Sequence, residues 1–567
     1  MVNSRSALRA LTFGIALGAL AGCSAICHLF CSDSGGTPLP AAFEIVSGTP
    51  QGEAISRTVT IIADSHAHHL WGKPNPLQTE IGDQVSPSAI RTPQADLWGP
   101  YFQQWMLAFG LKKRPLIHLG DASDLACADE YEAFIAMMNA RPDATAFPWF
   151  QAPGNHDAYF YGNYHEKGGD WQAACAGSTP MTKDMLVGRY LSALAGQPYR
   201  DGGIGLLAGQ KLNARTGRFD DLGGGGLLSA VAWSTSASAP WKSFVVQMLD
   251  LTAPKQPLKQ PRTVMAILLD TAVYDDPPTL VPVGTRLPVG APIIGAINAG
   301  ITGDITDAES EVVRAWAAAS HAKGAAVVLM GHHPFSSLTA RARHLIGDLH
   351  AHGGMVLYVS AHDHFGQWKA NLTDKSGWPE LNIGSFLDEP VEGRFLQLSM
   401  LQDGRLAAKS ELMRLDDLLK QTDPRVPRCR SEWEARPNEA DYYLSYKQLK
   451  ELDEAGAQLT ILNVLLSSWL RYFKFIHSAS GAGPWPEGWA NDQEVEGALV
   501  TARGSALVGE KINVLQKVAR DARQRPVVDP GVRDAYRICQ GYWGSKYEHM
   551  GTRLPDVNDW TVVIPKE

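Results

Sequence analysis

Five apolar runs of strand length stand out in the pattern of hydrophobic and polar positions. They cover residues 59–63, 115–119, 147–152, 325–330 and 355–360. Continuous apolar runs of this length are typical of strands that are buried on both faces. A helical pattern over residues 303–322, with a capping residue at Thr306, comes directly before the fourth run. This alternation of helix and strand predicts a layered α/β domain.

Each run is followed by a short polar motif rich in Asp, Asn or His. The motifs are Asp64-Ser65-His66, Gly120-Asp121-Ala122-Ser123-Asp124, Gly154-Asn155-His156-Asp157, Gly331-His332-His333-Pro334 and Ala361-His362-Asp363-His364. Functional groups collect in loops that a rigid scaffold positions. Carboxylates and neutral imidazoles suit Zn, Fe or Mn, and the absence of Cys from the motifs argues against a structural zinc. The motifs therefore predict a pair of metal ions, which can clamp a phosphoryl group and activate water.

In this order the motifs resemble those of the calcineurin-like metallophosphoesterases, which have D-x-H, G-D-x-x-D, G-N-H-D/E, H-x-P and G-H-x-H. The resemblance covers about residues 55–400 and implies an α/β fold, a layered β-sandwich core with helices on its outer faces. It implies that the first metal is held by Asp64, His66, Asp121 and His364. It implies that the second metal is held by Asp121, Asn155, His332 and His362. His156 would face the substrate as a hydrogen-bond donor or an acid.

The resemblance also implies a reaction, the hydrolysis of a phosphomonoester or phosphodiester by a metal-activated hydroxide. The cofactors would be two Mn, Fe or Zn ions, and the substrate a small phosphorylated molecule. Two alternatives are a phosphodiesterase for phospholipid or an envelope polymer, and a non-catalytic metal-binding envelope lipoprotein. One departure from the family pattern is Ala361, where Gly is usual. A positive φ at this position would strain Ala.

Two carboxylates in the motifs are expected to support the ligands. Histidines that bind a metal generally donate their other nitrogen to a carboxylate or a carbonyl. Asp124 is predicted to act in this way, and Asp157 to do the same near His156. His333 is expected to be a neighbour of the site and not a ligand, because the H-x-P spacing selects His332.

The N-terminus has the pattern of a bacterial lipoprotein signal. A positively charged start and a short apolar core precede Leu20-Ala21-Gly22-Cys23, which resembles a lipobox. We predict a signal peptide over residues 1–22, a lipid on Cys23 and a tether over residues 23–54. The lipid would hold the protein in the cell envelope, and Ser24 after the lipid site favours the outer over the inner membrane. An ordinary signal peptide with a chance Cys is the alternative.

Export would place the remaining cysteines in an oxidising compartment, where disulfides form. The predicted pairs are Cys127–Cys175, which follow two of the metal motifs, and Cys429–Cys539, while Cys27 and Cys31 either pair or stay free. The alternative is that several of them are small buried residues.

The length of 567 residues allows one large domain with additions. We predict a phosphoesterase domain over residues 55–410 with a large insert at about 158–260. The insert would form either a cap over the metals or a side lobe. A mainly helical region is predicted over residues 424–567. The formal charge of −8 gives no support for a nucleic-acid-binding surface, and the sequence does not indicate the oligomeric state.

Overall fold

The structure is a computed structural model that describes residues 44–47, 52–67, 103–104, 106–111, 113–158, 175, 178–196, 227–256, 261–278, 302–364, 366–372, 377–387, 391–414 and 560–564. The strands in these ranges are β1 (Glu44–Ser47), β2 (Gly52–Ala54), β3 (Val59–Ile62), β4 (Leu116–Leu119), β5 (Trp149–Ala152), β6 (Leu228–Ser234), β7 (Phe244–Asp250), β8 (Val264–Leu268), β9 (Ala326–Met330), β10 (Met355–Ser360), β11 (Gln367–Leu372), β12 (Gly377–Asn382), β13 (Glu392–Leu401), β14 (Leu406–Arg414) and β15 (Trp560–Ile564). The α-helices are α1 (Ala128–Asn139), α2 (Lys183–Leu194), α3 (Asp307–His321) and α4 (Ala340–His352).

The strands form two sheets. The first sheet has the order β1-β15-β14-β13-β3-β4-β5, with β2 paired to β13. The second sheet has the order β11-β12-β10-β9-β8-β7-β6. In the first sheet β3, β4 and β5 are parallel, and in the second sheet β12, β10, β9 and β8 are parallel. The strands that precede the polar motifs therefore lie in the parallel part of each sheet.

The main hydrophobic core lies between the two sheets. Ile61, Ile117 and Phe150 of the first sheet belong to one buried cluster with Val328 and Val359 of the second. The strands before the motifs, β3, β4, β5, β9 and β10, are buried along their whole length, as strands covered on both faces must be. This burial explains why their sequences are continuously apolar.

Helices cover the outer faces of the sandwich. Val313 of α3 and Leu345 of α4 pack in a second buried cluster with Leu329 of β9. On the other side, the ring of Phe134 in α1 contacts the rings of His118 in β4 and Trp149 in β5. The predicted α/β sandwich with helices on its outer faces is thus confirmed for the described residues.

The helix predicted over residues 303–322 is α3, and it begins with the predicted cap. The hydroxyl oxygen of Thr306 accepts a hydrogen bond from the backbone N–H of Glu309. This bond satisfies one of the amide groups that the first turn of a helix leaves without an intrahelical partner. The five predicted strands are confirmed with ends shifted by at most two residues.

The structure differs from the sequence prediction at both ends of the domain that was predicted over residues 55–410. β1 and β2 lie in the segment predicted as a tether, yet they pair with β15 and β13. β15 lies in the region predicted as mainly helical, yet it pairs with β14 and β1. A short apolar run cannot be assigned to strand or helix by periodicity alone, and partners distant in sequence leave no local signal.

Part of the predicted insert belongs to the sandwich itself. β6 and β7 extend the second sheet, and α2 packs against β7. The Tyr190 hydroxyl of α2 donates to Gln247 of β7 and accepts from the backbone N–H of Gln151 in β5. The side chain of Lys183 is fully buried and donates to Asp270 Oδ1 at 2.8 Å. These contacts make this part of the insert a structural element that joins the two sheets.

Several predictions fall outside the described residues. They concern Cys23, the cysteines other than Cys127 and Cys175, and the helices of the C-terminal region. Residues 106–110 form one π-helical turn. Within the described ranges, none of the helices has the length and apolar character needed to cross a membrane.

Candidate metal centre

The five motifs meet at one end of the sandwich. They follow the carboxyl ends of β3, β4 and β5 in the first sheet and of β9 and β10 in the second. Ligand atoms within 4.8 Å of one another occur in overlapping groups: Asp64, His66 and His364; His66, Asp121 and His156; Asp64, Asp121 and His332; and His332, His333 and His362. Residues separated by as many as 300 positions in sequence thus form a single polar cluster.

Backbone strain is concentrated in this cluster. Five of the residues predicted as ligands have a positive φ, a region that L-residues other than Gly, Asn and Asp rarely adopt. They are Asp64 (52°), His66 (40°), Asp121 (55°), His362 (69°) and His364 (59°). Strained residues of this kind persist where the surrounding structure fixes them, and they are common at functional sites. Ala361 is not among the positive-φ residues, so the strain falls on the histidines after it.

The G-D-x-x-D and G-N-H-D loops approach each other too closely for any side chain at Gly154. A Cβ atom at this position would lie 2.2 Å from Asp121 Oδ1. Asp157 joins the same loops, because its Oδ1 accepts from the backbone N–H groups of Ala122 and Ser123, and its Oδ2 from that of Gly154. Asp157 therefore fixes the spacing of the loops, and its support of His156 stays a prediction.

The first group of ligand atoms surrounds a point between β3, β4 and the loop after β10. His66 Nε2 lies 3.2 Å from His364 Nε2, and His364 Nε2 lies 3.5 Å from Asp64 Oδ1. His66 Nε2 lies 3.9 Å from Asp121 Oδ2. Two atoms bound to one ion at about 2.0–2.2 Å lie roughly 2.8–3.6 Å apart at octahedral or tetrahedral angles. Two of these three separations fall in that range, and the third exceeds it by a few tenths of an ångström.

The second group surrounds His332. Its Nε2 lies 3.0 Å from Asn155 Oδ1, 3.1 Å from His362 Nδ1 and 3.2 Å from Asp121 Oδ2. All three separations fit a common ion. Asp121 Oδ2 belongs to both groups, as a bridging carboxylate would.

Several atoms of the two groups are buried without a hydrogen-bond partner among the described residues. Among them, both carboxylate oxygens of Asp64 could face a metal ion. A buried polar group without a partner is costly, and a buried carboxylate is more costly than a neutral group. Asp64 is fully buried, so a cation would remove this cost. The residues present therefore fit a pair of metal ions.

The hydrogen bonds around the histidines fix which ring nitrogen faces the centre. His66 Nδ1 lies 3.0 Å from Asp124 Oδ1, and His332 Nδ1 lies 2.8 Å from the carbonyl oxygen of Leu119. Because these oxygens only accept, each Nδ1 carries a proton, and in the neutral ring each Nε2 presents a lone pair. Once a metal ion replaces the second proton of His332, its Nε2 and His362 Nδ1, which lie 3.1 Å apart, would share that cation.

The electrostatics of the cluster favour a bound cation. Burial raises the pKa of Asp121, but His332, His156 and His66 outweigh it and hold the pKa well below its usual range. Burial lowers the pKa of His332, and Asp121 reverses this effect, raising the pKa to about 9. The field that holds a proton on His332 in the metal-free protein also attracts a metal ion, which would compete with that proton.

His156 lies at the more open side of the cluster. Its side chain is 12% exposed, and its ring meets that of His66 edge-on with centroids 4.6 Å apart. Its backbone N–H donates to Asp121 Oδ1, and its Nδ1 donates to the carbonyl oxygen of Asp124 at 2.8 Å. Asp124 Oδ1 is 3.6 Å from the same nitrogen. Asp124 thus orients both His66 and His156.

Two residues near the centre were not found from the sequence. His118, inside β4, has its Nε2 2.9 Å from the hydroxyl of Ser65. Thr271, after β8, contacts both the ring and the backbone N–H of His333. Two sequence signals were available. His118 is a polar residue inside an apolar run, and Asp270-Thr271 is a polar pair directly after the apolar strand β8. Neither belongs to the five motifs, so the resemblance gave no reason to select them.

A disulfide joins Cys127 to Cys175, as the sequence analysis predicted. Cys127 comes directly before α1, three residues after Asp124. Backbone hydrogen bonds from Ala128 to Thr179 and from Met181 to Ala126 add to the link. The disulfide therefore ties the segment before α2 to the loop that carries Asp124.

Comparisons with known proteins give distant similarities. No protein-family model and no curated protein sequence matches the chain. A dimetal phosphatase from Danio rerio has 15% identity and a TM-score of 0.32, with 64% of this chain and 99% of that chain covered. A purple acid phosphatase from yellow lupin (Lupinus luteus) seeds has 10% identity and a TM-score of 0.31, covering 65% and 53%. The sulfate thiohydrolase SoxB from Thermus thermophilus, in complex with glycerol, has 10% identity and a TM-score of 0.27, covering 70% and 63%. At these TM-scores the similarities support no argument about activity, which has to come from the residues themselves.

Proposed function

We propose that the protein is a hydrolase of phosphate esters that uses two metal ions. The observation that carries this proposal is that Asp121 Oδ2 lies close to His66 and to His332, which belong to the two ligand groups, while both oxygens of Asp64 are buried without a hydrogen-bond partner among the described residues. Asp64, His66, Asp121 and His364 would hold the first ion. Asp121, Asn155, His332 and His362 would hold the second.

When bound, a pair of Mn, Fe or Zn ions supplies Lewis acidity toward phosphoryl oxygens and lowers the pKa of water to about 7. The protein supplies positioning. Strained loops fixed by Asp157 hold the ligands in place before substrate binds, so little reorganisation is needed during the reaction. Burial of the ligands excludes bulk water and strengthens electrostatic interactions at the centre.

His156 is suited to contact the leaving group. Its Nδ1 proton is held by the Asp124 carbonyl, so Nε2 is the nitrogen that gains or gives a proton. Asp124 Oδ1 also lies 3.6 Å from Nδ1, so Asp124 fixes the orientation of this ring. His156 would therefore protonate the departing oxygen while it neutralises charge on the phosphoryl group.

The protein would act in the bacterial cell envelope, anchored through a lipid on Cys23, because Leu20-Ala21-Gly22-Cys23 follows a signal-like segment. Replacing Cys23 by Ala should abolish labelling with radioactive palmitate. Retained labelling would refute the anchor and leave the hydrolase proposal unaffected.

The activity is tested with purified protein loaded with Mn, Zn or Fe. The substrates are p-nitrophenyl phosphate and bis-p-nitrophenyl phosphate. We expect hydrolysis that a chelator abolishes, and we expect Asp121→Ala to lose metal and activity together. Asp276→Ala, at an exposed position, is the matched control and should keep both.

The outcomes separate the candidate functions. A preference for the diester would direct the search to phospholipids and envelope polymers, and a preference for the monoester to nucleotide or sugar phosphates. Bound metal without hydrolysis of either substrate would refute the hydrolase and leave a metal-binding protein.

A further inference from the structure

His333 stands beside the proposed metal centre without a role in it. Its side chain is fully buried, and its ring lies 4.7 Å from that of His362 and 4.9 Å from that of His332, centroid to centroid. A ring nitrogen of His333 lies within 4.8 Å of ring nitrogens of both neighbours. Its surroundings fix the ring in place, and one ring nitrogen has no hydrogen-bond partner among the described residues.

Contacts on several sides hold His333. Its carbonyl oxygen accepts from the Tyr358 hydroxyl at 2.6 Å, and its backbone N–H donates to the Thr271 hydroxyl oxygen at 3.1 Å. The ring packs against Gly303, where a Cβ atom would lie 2.5 Å from the ring. Ring Nδ1 lies 2.9 Å from the Thr271 hydroxyl oxygen. The ring therefore has one position and one orientation.

The Thr271 hydroxyl fixes the proton on this ring. It has one hydrogen and already accepts the backbone N–H of His333. If Nδ1 donated instead, the hydroxyl hydrogen would have no acceptor among the described residues; with the hydroxyl as donor, both this hydrogen and Nδ1 are paired, and we assign this direction. In the neutral ring the proton then lies on Nε2. Nε2 is buried and has no hydrogen-bond partner within the described part of the chain.

A buried N–H donor without an acceptor destabilises the folded protein. A bound ligand that supplies an acceptor would remove this cost. A metal ligand would need a lone pair on Nε2, which this hydrogen-bond pattern does not provide. An oxyanion at the metal centre offers the missing acceptor. We infer that His333 is a substrate-binding residue that donates from Nε2 to an oxygen of the bound phosphate group, with Thr271 as the residue that sets its tautomer.

This inference rests on the proposed function, and it names a contact to the substrate outside the five motifs. It also assigns a role to the loop after β8. That loop lies at the same end of the second sheet as the loops of β9 and β10, which carry His332 and His362. Three neighbouring parallel strands would then contribute to the site.

Binding of inorganic phosphate to the metal-loaded protein tests the inference without relying on turnover. Isothermal titration calorimetry gives the phosphate affinity, and elemental analysis gives the metal content per chain. His333→Phe keeps a flat ring and removes both nitrogens. Since a hydrogen bond to a charged group is worth about 1.5–3 kcal/mol, we expect phosphate to bind roughly 10- to 100-fold more weakly with the metal content unchanged.

Two further variants complete the design. Thr271→Val removes the hydroxyl but keeps the shape, and it should weaken phosphate binding in the same direction if His333→Phe fails to fold. His344→Phe is the matched control, because His344 is 78% exposed on α4. It should bind phosphate and metal as the wild type does.

Two results would overturn the inference. Phosphate affinity within twofold of wild type in both His333→Phe and Thr271→Val would show that Nε2 does not contact the oxyanion. Loss of an ion in folded His333→Phe would make His333 a ligand instead. A wild-type protein that binds no metal and hydrolyses no ester would refute the proposed function itself, which is a distinguishable result.

Discussion

The dependence of stability on metal should change when Asp64 loses its charge. In the metal-free protein Asp64 is fully buried, and neither carboxylate oxygen has a hydrogen-bond partner among the described residues. Asp64→Asn keeps the shape, and Asn tolerates the observed φ of 52°. An unsatisfied buried neutral group costs about 1–3 kcal/mol and a charged one more, and Asn remains a neutral polar group there, so the variant should be more stable than wild type in a chelator by the difference, on the order of 1 kcal/mol.

With metal bound, the substitution should have the opposite effect, because the variant gains less stability from the metal than wild type does. A ligand present at 100 times its dissociation constant stabilises the folded state by about 2.7 kcal/mol. If the loss of one carboxylate ligand weakens binding about 100-fold, the same concentration stabilises the variant by only about 0.4 kcal/mol. The metal-induced gain should therefore fall by about 2 kcal/mol.

The assay is urea unfolding of wild type and Asp64→Asn, each with a chelator and with saturating Mn or Zn. Asp276→Asn, at an exposed position, controls for the loss of one negative charge and should follow wild type in both conditions. The reasoning is refuted if Asp64→Asn is less stable than wild type in chelator and gains as much from metal. That result would mean that Asp64 is neither an uncompensated charge nor a ligand.

Two further predictions concern stability away from the ligands. Burial raises the pKa of Glu309 well above its ordinary value of 4.5, so the folded state keeps a proton that the unfolded chain releases. The free energy of unfolding of the wild type should then fall as pH rises above about 4.5, whereas that of Glu309→Gln should lack this decline. If urea unfolding gives a constant difference in this free energy between the two proteins from about pH 4.5 to 8, the assignment is contradicted. The Cys127–Cys175 disulfide closes a loop with a sequence separation of 48. Its removal by Cys127→Ser with Cys175→Ser should lower the free energy of unfolding by about 4 kcal/mol through loop entropy, measured by urea unfolding against the oxidised wild type. Reduced wild type is the control and should lose the same amount.

The five strands and the ligand-bearing loops after them could be predicted from the sequence because both signals are local. A strand buried on both faces must be apolar throughout, and its loop carries the ligands within four residues of its end. The elements that the sequence did not reveal depend on contacts between distant segments. β1 and β15 pair with each other from opposite ends of the chain, and no periodicity in either strand indicates the other.

The candidate site shows the same division. Asp124 could be proposed as a partner of a ligand, since it is the last residue of its motif. The role of Asp157 in joining two loops depends on backbone N–H groups that the sequence does not place. Thr271 is 62 positions from the histidine that it contacts. Residues that orient other residues are therefore the part of the site that sequence reasoning does not reach.

β15 also determines when the first sheet can be completed during folding. About 145 residues separate the end of β14 from Trp560, and a ribosome adds about 5–20 residues per second. For roughly 7–30 seconds after β14 has been made, its outer edge has no partner strand, and neither does β1. An unpaired edge of this kind can pair with another chain. A chaperone that covers β14, or transport that delays folding until the whole chain has been made, would protect the protein during this interval.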